Sequence, residues 1–141
     1  MNRKLAVALI LALVAAAITV ACDGGKAATS GKTIKSANSN GLTITLASDT
    51  GEIKSGNNDL YLIFADEAGK AVDVGAASLK FHMPAMGLMA EMNDVATLTT
   101  TDTPGRYRAR VHMDMAGTWE AMVNYQGAKG TGQAMMSVNA K

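Results

Sequence analysis

The residues that could do chemistry are sulfur and imidazole donors in two short stretches of the chain. One stretch runs from His82 to Met92 and the other from His112 to Met115, and together they hold both histidines of the protein. Thioether sulfur is a soft, uncharged donor, and with imidazole it suits Cu(I) better than Zn²⁺, Mg²⁺ or Ca²⁺. The two stretches therefore predict a soft-metal site with seven candidate ligands: His82, Met83, Met86, Met89, His112, Met113 and Met115.

Local chain geometry offers ways to gather these donors. Pro84 and Gly87 bend the chain after Met83, which could fold the later methionines of that stretch back towards it. In an extended strand, Met113 and Met115 would present both sulfurs on one face. Methionine is also an adaptable core filler, so core packing stays open as an alternative for each candidate. We assign three further methionines to packing: Met122, Met135 and Met136.

Motifs of common enzyme classes are missing from the sequence. We find no Ser-His-Asp spacing, no Gly-x-Ser-x-Gly elbow, no phosphate-binding loop and no dinucleotide fingerprint. The single cysteine, Cys22, lies outside the part expected to fold. The sequence therefore predicts a protein that is not an enzyme and has no small-molecule substrate.

The N-terminus has the order of an export signal. Basic residues precede an apolar run over residues 5–21, which is short for a membrane span of roughly 20 apolar residues. The segment before Cys22 resembles a lipobox, and this lone cysteine has no partner for an internal disulfide. We therefore expect residues 1–21 to be a lipoprotein signal peptide and Cys22 to be acylated, which anchors the protein to the membrane.

The mature chain is expected in the cell envelope, lipid-anchored and facing the periplasm or the exterior. Asp23 resembles the signal that retains lipoproteins in the inner membrane of enteric bacteria, so the inner membrane is favoured. Loss of Arg3 and Lys4 with the leader changes the formal net charge from +1 to about −1. Because no basic run remains to neutralise phosphates, nucleic acid is not an expected partner.

Composition divides the mature chain into a linker and one domain. Residues 22–40 are mostly small and polar, which predicts a flexible tether behind the lipidated cysteine. Residues 41–141 show short alternating stretches separated by turn residues, which is typical of an all-β sandwich. The expected strands number about seven, over residues 42–47, 59–65, 77–83, 95–101, 105–113, 118–125 and 132–138.

Alternation is clearest in the fifth of these strands. Tyr107, Ala109 and Val111 share one face, which we expect to be buried. The opposite face carries His112 and three arginines, and it is most simply a solvated surface: Arg106, Arg108 and Arg110.

Several motifs resemble the YtkA-like family, which is related to the FixH-like domains. The motifs are Gly56-Asn57-Asn58-Asp59-Leu60, Met83-Pro84-Ala85-Met86-Gly87, Pro104-Gly105-Arg106-Tyr107 and Met113-Asp114-Met115-Ala116-Gly117-Thr118-Trp119. The resemblance spans about residues 41–138. It implies an immunoglobulin-like β-sandwich, exported and often lipid-anchored, that works near copper handling, cytochrome oxidase assembly or metal efflux. Four motif residues also have a structural interpretation, as turn glycines and core aromatics: Gly105, Tyr107, Gly117 and Trp119.

Two hypotheses of function follow. The first is a non-catalytic binding module for metal homeostasis, which holds Cu(I) or a similar soft ion and presents it to a membrane protein such as an oxidase assembly or efflux component. The second is a metal-free periplasmic interaction or scaffold domain, in which exposed methionines form an adaptable apolar surface for a membrane protein partner.

Overall fold

The computed structural model describes residues 31–141, and this part of the chain is all β. The expected signal peptide over residues 1–21, the lipidated Cys22 and residues 23–30 of the expected linker lie outside the described residues. The strands are β1 (Lys32–Ser39), β2 (Leu42–Ser48), β3 (Gly56–Ala65), β4 (Ala76–Met83), β5 (Met92–Val95), β6 (Thr97–Thr100), β7 (Arg106–Met113), β8 (Gly117–Gly127) and β9 (Gly130–Ala140). None of residues 31–141 belongs to a helix long and apolar enough to cross a membrane.

The strands form two antiparallel sheets that pack face to face. One sheet has the order β1-β2-β3-β7-β6 and the other has the order β5-β4-β8-β9. The expected β-sandwich is therefore confirmed, although the described residues contain nine strands rather than about seven. All seven expected strands are present, and the two additional ones, β1 and β5, lie at sheet edges.

Strand β1 corrects the interpretation of residues 32–39 as part of the flexible tether. It pairs with β2 along its length, and Asn40 and Gly41 connect the two strands with positive φ angles of 50° and 75°. This is the two-residue Asn-Gly turn that fits the right-handed twist of a hairpin. Backbone pairing needs few apolar side chains at an edge, and only Ile34 and Ala37 of β1 pack against the core. Composition therefore gave no sign of this strand.

The core consists of the inward faces of both sheets. In β7, Tyr107, Ala109 and Val111 are buried, which confirms the predicted alternation. The Phe64 ring meets the rings of Tyr107 and Tyr125 edge to face, with centroids 5.8 and 5.5 Å apart. Such pairs add to the gain from burial alone. Trp119 is also fully buried in the core, near the start of β8.

The glycine of the Gly105-x-Tyr107 motif is required by a close backbone approach. Gly105 has a φ of +77°, and a Cβ atom there would lie 2.2 Å from the carbonyl oxygen of Val72. Gly69 has a similar φ of +80°, but a Cβ atom there would meet nothing within 4 Å. A side chain at Gly105 would therefore meet both backbone strain and steric overlap, whereas a side chain at Gly69 would meet backbone strain alone.

We expect Gly105→Ala to lower the free energy of unfolding by about 4 kcal/mol or more, because strain and overlap with the Val72 backbone add together. Gly69→Ala is the matched control and should cost only about 1 kcal/mol, from backbone strain alone. Denaturant unfolding of both variants measures the difference. Equal losses in the two variants would contradict the role given to the Val72 contact.

Tyr107 joins β7 to the segment before β4. Its hydroxyl donates to the carbonyl oxygen of Gly75 at 2.9 Å and lies 3.3 Å from Oδ1 of Asp73. Burial first, and then the negative charge of Asp73, raises the pKa of Tyr107 above its usual value. An unfolded tyrosine ionises near pH 10, so this residue contributes its full stability below about pH 10. That contribution is lost as the pH rises through the folded pKa.

Tyr107→Phe should lower the free energy of unfolding by about 1 kcal/mol at neutral pH, because the Gly75 carbonyl loses its donor. The variant should also lose part of the alkaline fall in stability. Tyr61→Phe is the control, because it also removes one tyrosine hydroxyl. It keeps the ring that stacks under the Arg106 guanidinium at 4.3 Å. Urea unfolding at neutral and alkaline pH tests both points. A Tyr107→Phe variant whose free energy of unfolding equals that of the unsubstituted protein at both pH values would contradict them.

Candidate functional site

Both predicted donor stretches lie at one end of the sandwich. Strand β4 ends at Met83 and β8 begins at Gly117, and a Cβ atom on Gly117 would lie 2.9 Å from Cε of Met83. Strand β7 ends at Met113, directly before the turn that leads into β8. The backbone N–H of Asp114 in this turn donates to Oδ2 of Asp94 in β5 at 3.3 Å. We call this end, formed by residues 83–92 and 113–117, the methionine end.

A tight hairpin holds two of the candidate ligands side by side. Met86 and Met89 exchange both backbone hydrogen bonds, with N···O distances of 3.1 and 2.9 Å. Gly87 has a φ of +59° and is the first of the two turn residues, which is the type II′ arrangement. Residues paired in this way project their side chains to the same side of the ribbon, with Cβ atoms about 5 Å apart. The two side chains are 53% and 41% exposed.

Burial separates the other candidate methionines from this hairpin. Met83 and Met113 are sealed in the core, at the ends of β4 and β7. Met115 lies beyond the end of β7, so the expectation that it shares a strand face with Met113 is wrong. Met92 and Met115 are half-buried and pack against the core at the methionine end.

The two histidines lie on opposite outer faces of the sandwich. His82 is on the outer face of the four-stranded sheet, and its Nδ1 donates to Oδ1 of Asn93 at 3.0 Å. His112 is on the outer face of the five-stranded sheet, and its Nδ1 donates to Oδ1 of Asn57 at 2.9 Å. Its Nε2 lies 3.8 Å from Oδ1 of Asp114. The fold therefore does not bring the two imidazoles together.

Arg108 and Arg110 lie on a solvated face beside His112, as expected, whereas Arg106 is half-buried with its guanidinium over the Tyr61 ring. Arg108 and Arg110 both contact Oδ1 of Asp59, at 3.2 Å, and all three side chains are well exposed. Exposed ion pairs of this kind contribute little to stability. This face is explained without a ligand.

Two methionines that we assigned to packing lie outside the core. Met122 in β8 and Met135 in β9 are register partners on the outer face of the four-stranded sheet. Met135 is 56% exposed, whereas its neighbour Met136 is buried as expected. The packing interpretation is therefore wrong for Met122 and Met135. The alternation of β8 could have revealed this, because Met122 falls in phase with Glu120 and Asn124 rather than with Trp119.

Residues 31–141 contain no group of three or more histidine, cysteine, aspartate or glutamate side chains placed to hold a metal ion.

The four motif residues expected to be turn glycines and core aromatics have the predicted environments. Tyr107 and Trp119 are buried, and Gly105 and Gly117 have φ angles of +77° and +143°.

Comparison with known proteins agrees with the motifs. The model of the YtkA-like family matches residues 36–124, which is more than half of the chain and includes strands β2 to β7 in full. No curated protein matches the sequence. The match begins inside β1, ahead of the motif that contains Gly56, and it ends in β8 after Trp119. By this match the chain belongs to the YtkA-like family.

Proposed function

We propose that this protein is an exported, lipid-anchored and non-catalytic binding module that holds Cu(I) or a similar soft ion at the methionine end. The ion would be presented to a membrane protein that handles copper or assembles an oxidase. Met86 and Met89 are the first two ligands, and the half-buried Met92 and Met115 are candidates for a third. Met83 and Met113 are left out of the ligand set because they are in the core. His112 is left out because it lies on the outer face of the five-stranded sheet, where its Nδ1 is bonded to Asn57.

The observation that carries the proposal is the Met86–Met89 hairpin. Its two-residue turn places both thioethers on the same side, and neither side chain is used to fill the core. A pair of exposed thioethers is chemically suited to Cu(I) and poorly suited to the harder divalent ions. Pairing by backbone hydrogen bonds also means that the two donors are positioned before an ion arrives.

The position of the tether supports delivery to a membrane partner. Lys32 pairs with Ser48 at the end of β2, and Gly56 at the start of β3 pairs with Met113, so β1 starts at the methionine end. Only eight residues separate Cys22 from Gly31, and an extended chain spans at most about 3.5 Å per residue. With Cys22 in the bilayer, the first residue of the folded domain stays within about 30 Å of the membrane surface.

A second candidate function is supported by Leu88 at the tip of the hairpin. This side chain is fully exposed and has no donor atom, yet it lies between the two exposed methionines. An apolar tip of this composition suits an adaptable surface for a protein partner. Leu88→Ser distinguishes the two functions, because it should weaken partner binding and leave metal binding unchanged.

The copper proposal predicts that Met86→Leu/Met89→Leu removes one equivalent of tightly bound Cu(I). Leucine conserves the side-chain volume, and these exposed positions should tolerate it at a cost under about 1.5 kcal/mol. The measurement is competition between the full-length chain in detergent micelles and a chromogenic Cu(I) chelator. Leu88→Ser is the matched control, because it changes the same hairpin without removing a sulfur.

Two results would contradict the copper proposal. One is a full-length chain that never displaces the chelator at any ratio. The other is a double variant that binds as many equivalents of Cu(I) as the unsubstituted chain.

The anchor is tested by the intact mass of the protein purified from membranes. We expect a chain that begins at Cys22, lacks residues 1–21 and carries the added mass of acyl chains. Cys22→Ser should lose the acyl mass, because the hydroxyl cannot replace the thiol that is modified. Asp23→Asn is the control and should remain acylated. An unmodified Cys22 in the unsubstituted protein would disprove lipid anchoring.

A further inference from the structure

The outer face of the four-stranded sheet carries a second group of soft donors, on three adjacent strands. His82 in β4 is paired with Glu120 in β8, and Met122 follows two residues later on the same face of β8. Met135 in β9 is directly opposite Met122. His82, Met122 and Met135 line one concavity on this face.

Strand geometry places Met122 between His82 and Met135, because β8 lies between β4 and β9: Met122 is diagonal to His82 and directly opposite Met135. Directly paired residues have Cβ atoms about 5 Å apart, and diagonal neighbours lie about 7 Å apart. Methionine has three rotatable side-chain bonds and can close such gaps. The pleat directs all three side chains to the same side, away from the core.

The His82 ring is already oriented for coordination. Its Nδ1 donates to the Asn93 amide oxygen at 3.0 Å, and an amide oxygen can only accept. Nε2 is therefore the ring nitrogen available as a donor to a metal when the imidazole is neutral. A hydrogen bond from the other ring nitrogen is the usual way in which proteins fix a ligating histidine.

The charge around the concavity favours a cation. Its rim includes the carboxylates of Glu91 and Glu120 and one ammonium group, that of Lys80. With His82 counted as neutral, the formal charge of these side chains is −1. Two thioethers and one imidazole form a donor set that selects Cu(I) over Zn²⁺ or Ca²⁺.

Core packing does not explain why methionine occupies these positions. Neighbouring outward residues of β8 and β9 are polar, including Glu120, Asn124, Gln133 and Ser137. Met135 is 56% exposed, and it meets Met122 across the strands rather than the core. We propose that His82, Met122 and Met135 form a second site for a soft monovalent ion, Cu(I) or Ag(I), separate from the hairpin pair at the methionine end.

This second site uses no residue of the Met86–Met89 hairpin, so it stands or falls independently of the copper proposal made above. A protein with both sites would hold two soft ions, one at the methionine end and one on the sheet face. The ligand sets differ in chemistry, since only the sheet-face site includes an imidazole.

Methyl-resolved NMR tests the inference directly. The full-length chain, labelled with ¹³C at the methionine methyl groups and held in detergent micelles, is titrated with Ag(I) as a redox-stable probe. We expect the Met122 and Met135 methyl signals to shift together, in parallel with the ring signals of His82. The hairpin methyl signals should shift as a separate set, and the two sets together should saturate at two equivalents.

Variants assign the sheet-face set. Met122→Leu/Met135→Leu should abolish the His82 shift and one equivalent of binding, while the Met86 and Met89 shifts remain. His82→Gln should weaken the sheet-face site at least tenfold. Met136→Leu is the matched control, because this neighbouring methionine is buried on the opposite side of β9 and should leave both sites intact.

The outcomes separate the two proposals. If the Met122 and Met135 methyl signals do not move at saturating Ag(I), the second site is disproved, even when the hairpin signals shift. If the sheet-face set shifts and the hairpin set does not, the second site is supported and the proposed site at the methionine end is contradicted.

Discussion

Burial of the inner faces of both sheets is the constraint on which the rest of the molecule depends. A strand side chain points either between the sheets or to solvent, so one step along the chain changes its environment completely. Met135 and Met136 show the effect, because one is exposed and the other is in the core. The chemistry available to each methionine is therefore decided by its phase in the alternation and not by its position in a cluster along the sequence.

The same constraint explains why the candidate ligands are not equivalent. The Met83-Pro84-Ala85-Met86 motif begins inside the core and ends in an exposed hairpin, so its two methionines have different environments. His82 and Met83 are adjacent in sequence but lie on opposite sides of β4. Neighbouring residues of one sequence motif in a sandwich are thus partly buried in the core and partly exposed. Only the exposed residues can hold an ion without opening the core.

The methionine end combines two features that serve a membrane-tethered module. The start of β1 and the Met86–Met89 hairpin are at the same end of the sandwich, because β1, β2, β3 and β7 alternate in direction through antiparallel pairs. A short tether there would keep the hairpin close to the membrane. The sheet-face group, in contrast, lies on three adjacent hydrogen-bonded strands whose register holds the donors. His82 is one residue before the end of β4, and Met122 and Met135 are in the middle of β8 and β9.

The sequence by itself determined the all-β class, seven of the nine described strands, the inward face of β7 and the structural roles of Gly105 and Trp119. These follow from local alternation and turn chemistry, which act within a few residues. Strand β1 was hidden because its stability comes from pairing with β2 and not from its own composition. Only the tertiary structure separated His82 from His112 and placed Met122 beside Met135, since these relations depend on which strands become neighbours across a sheet.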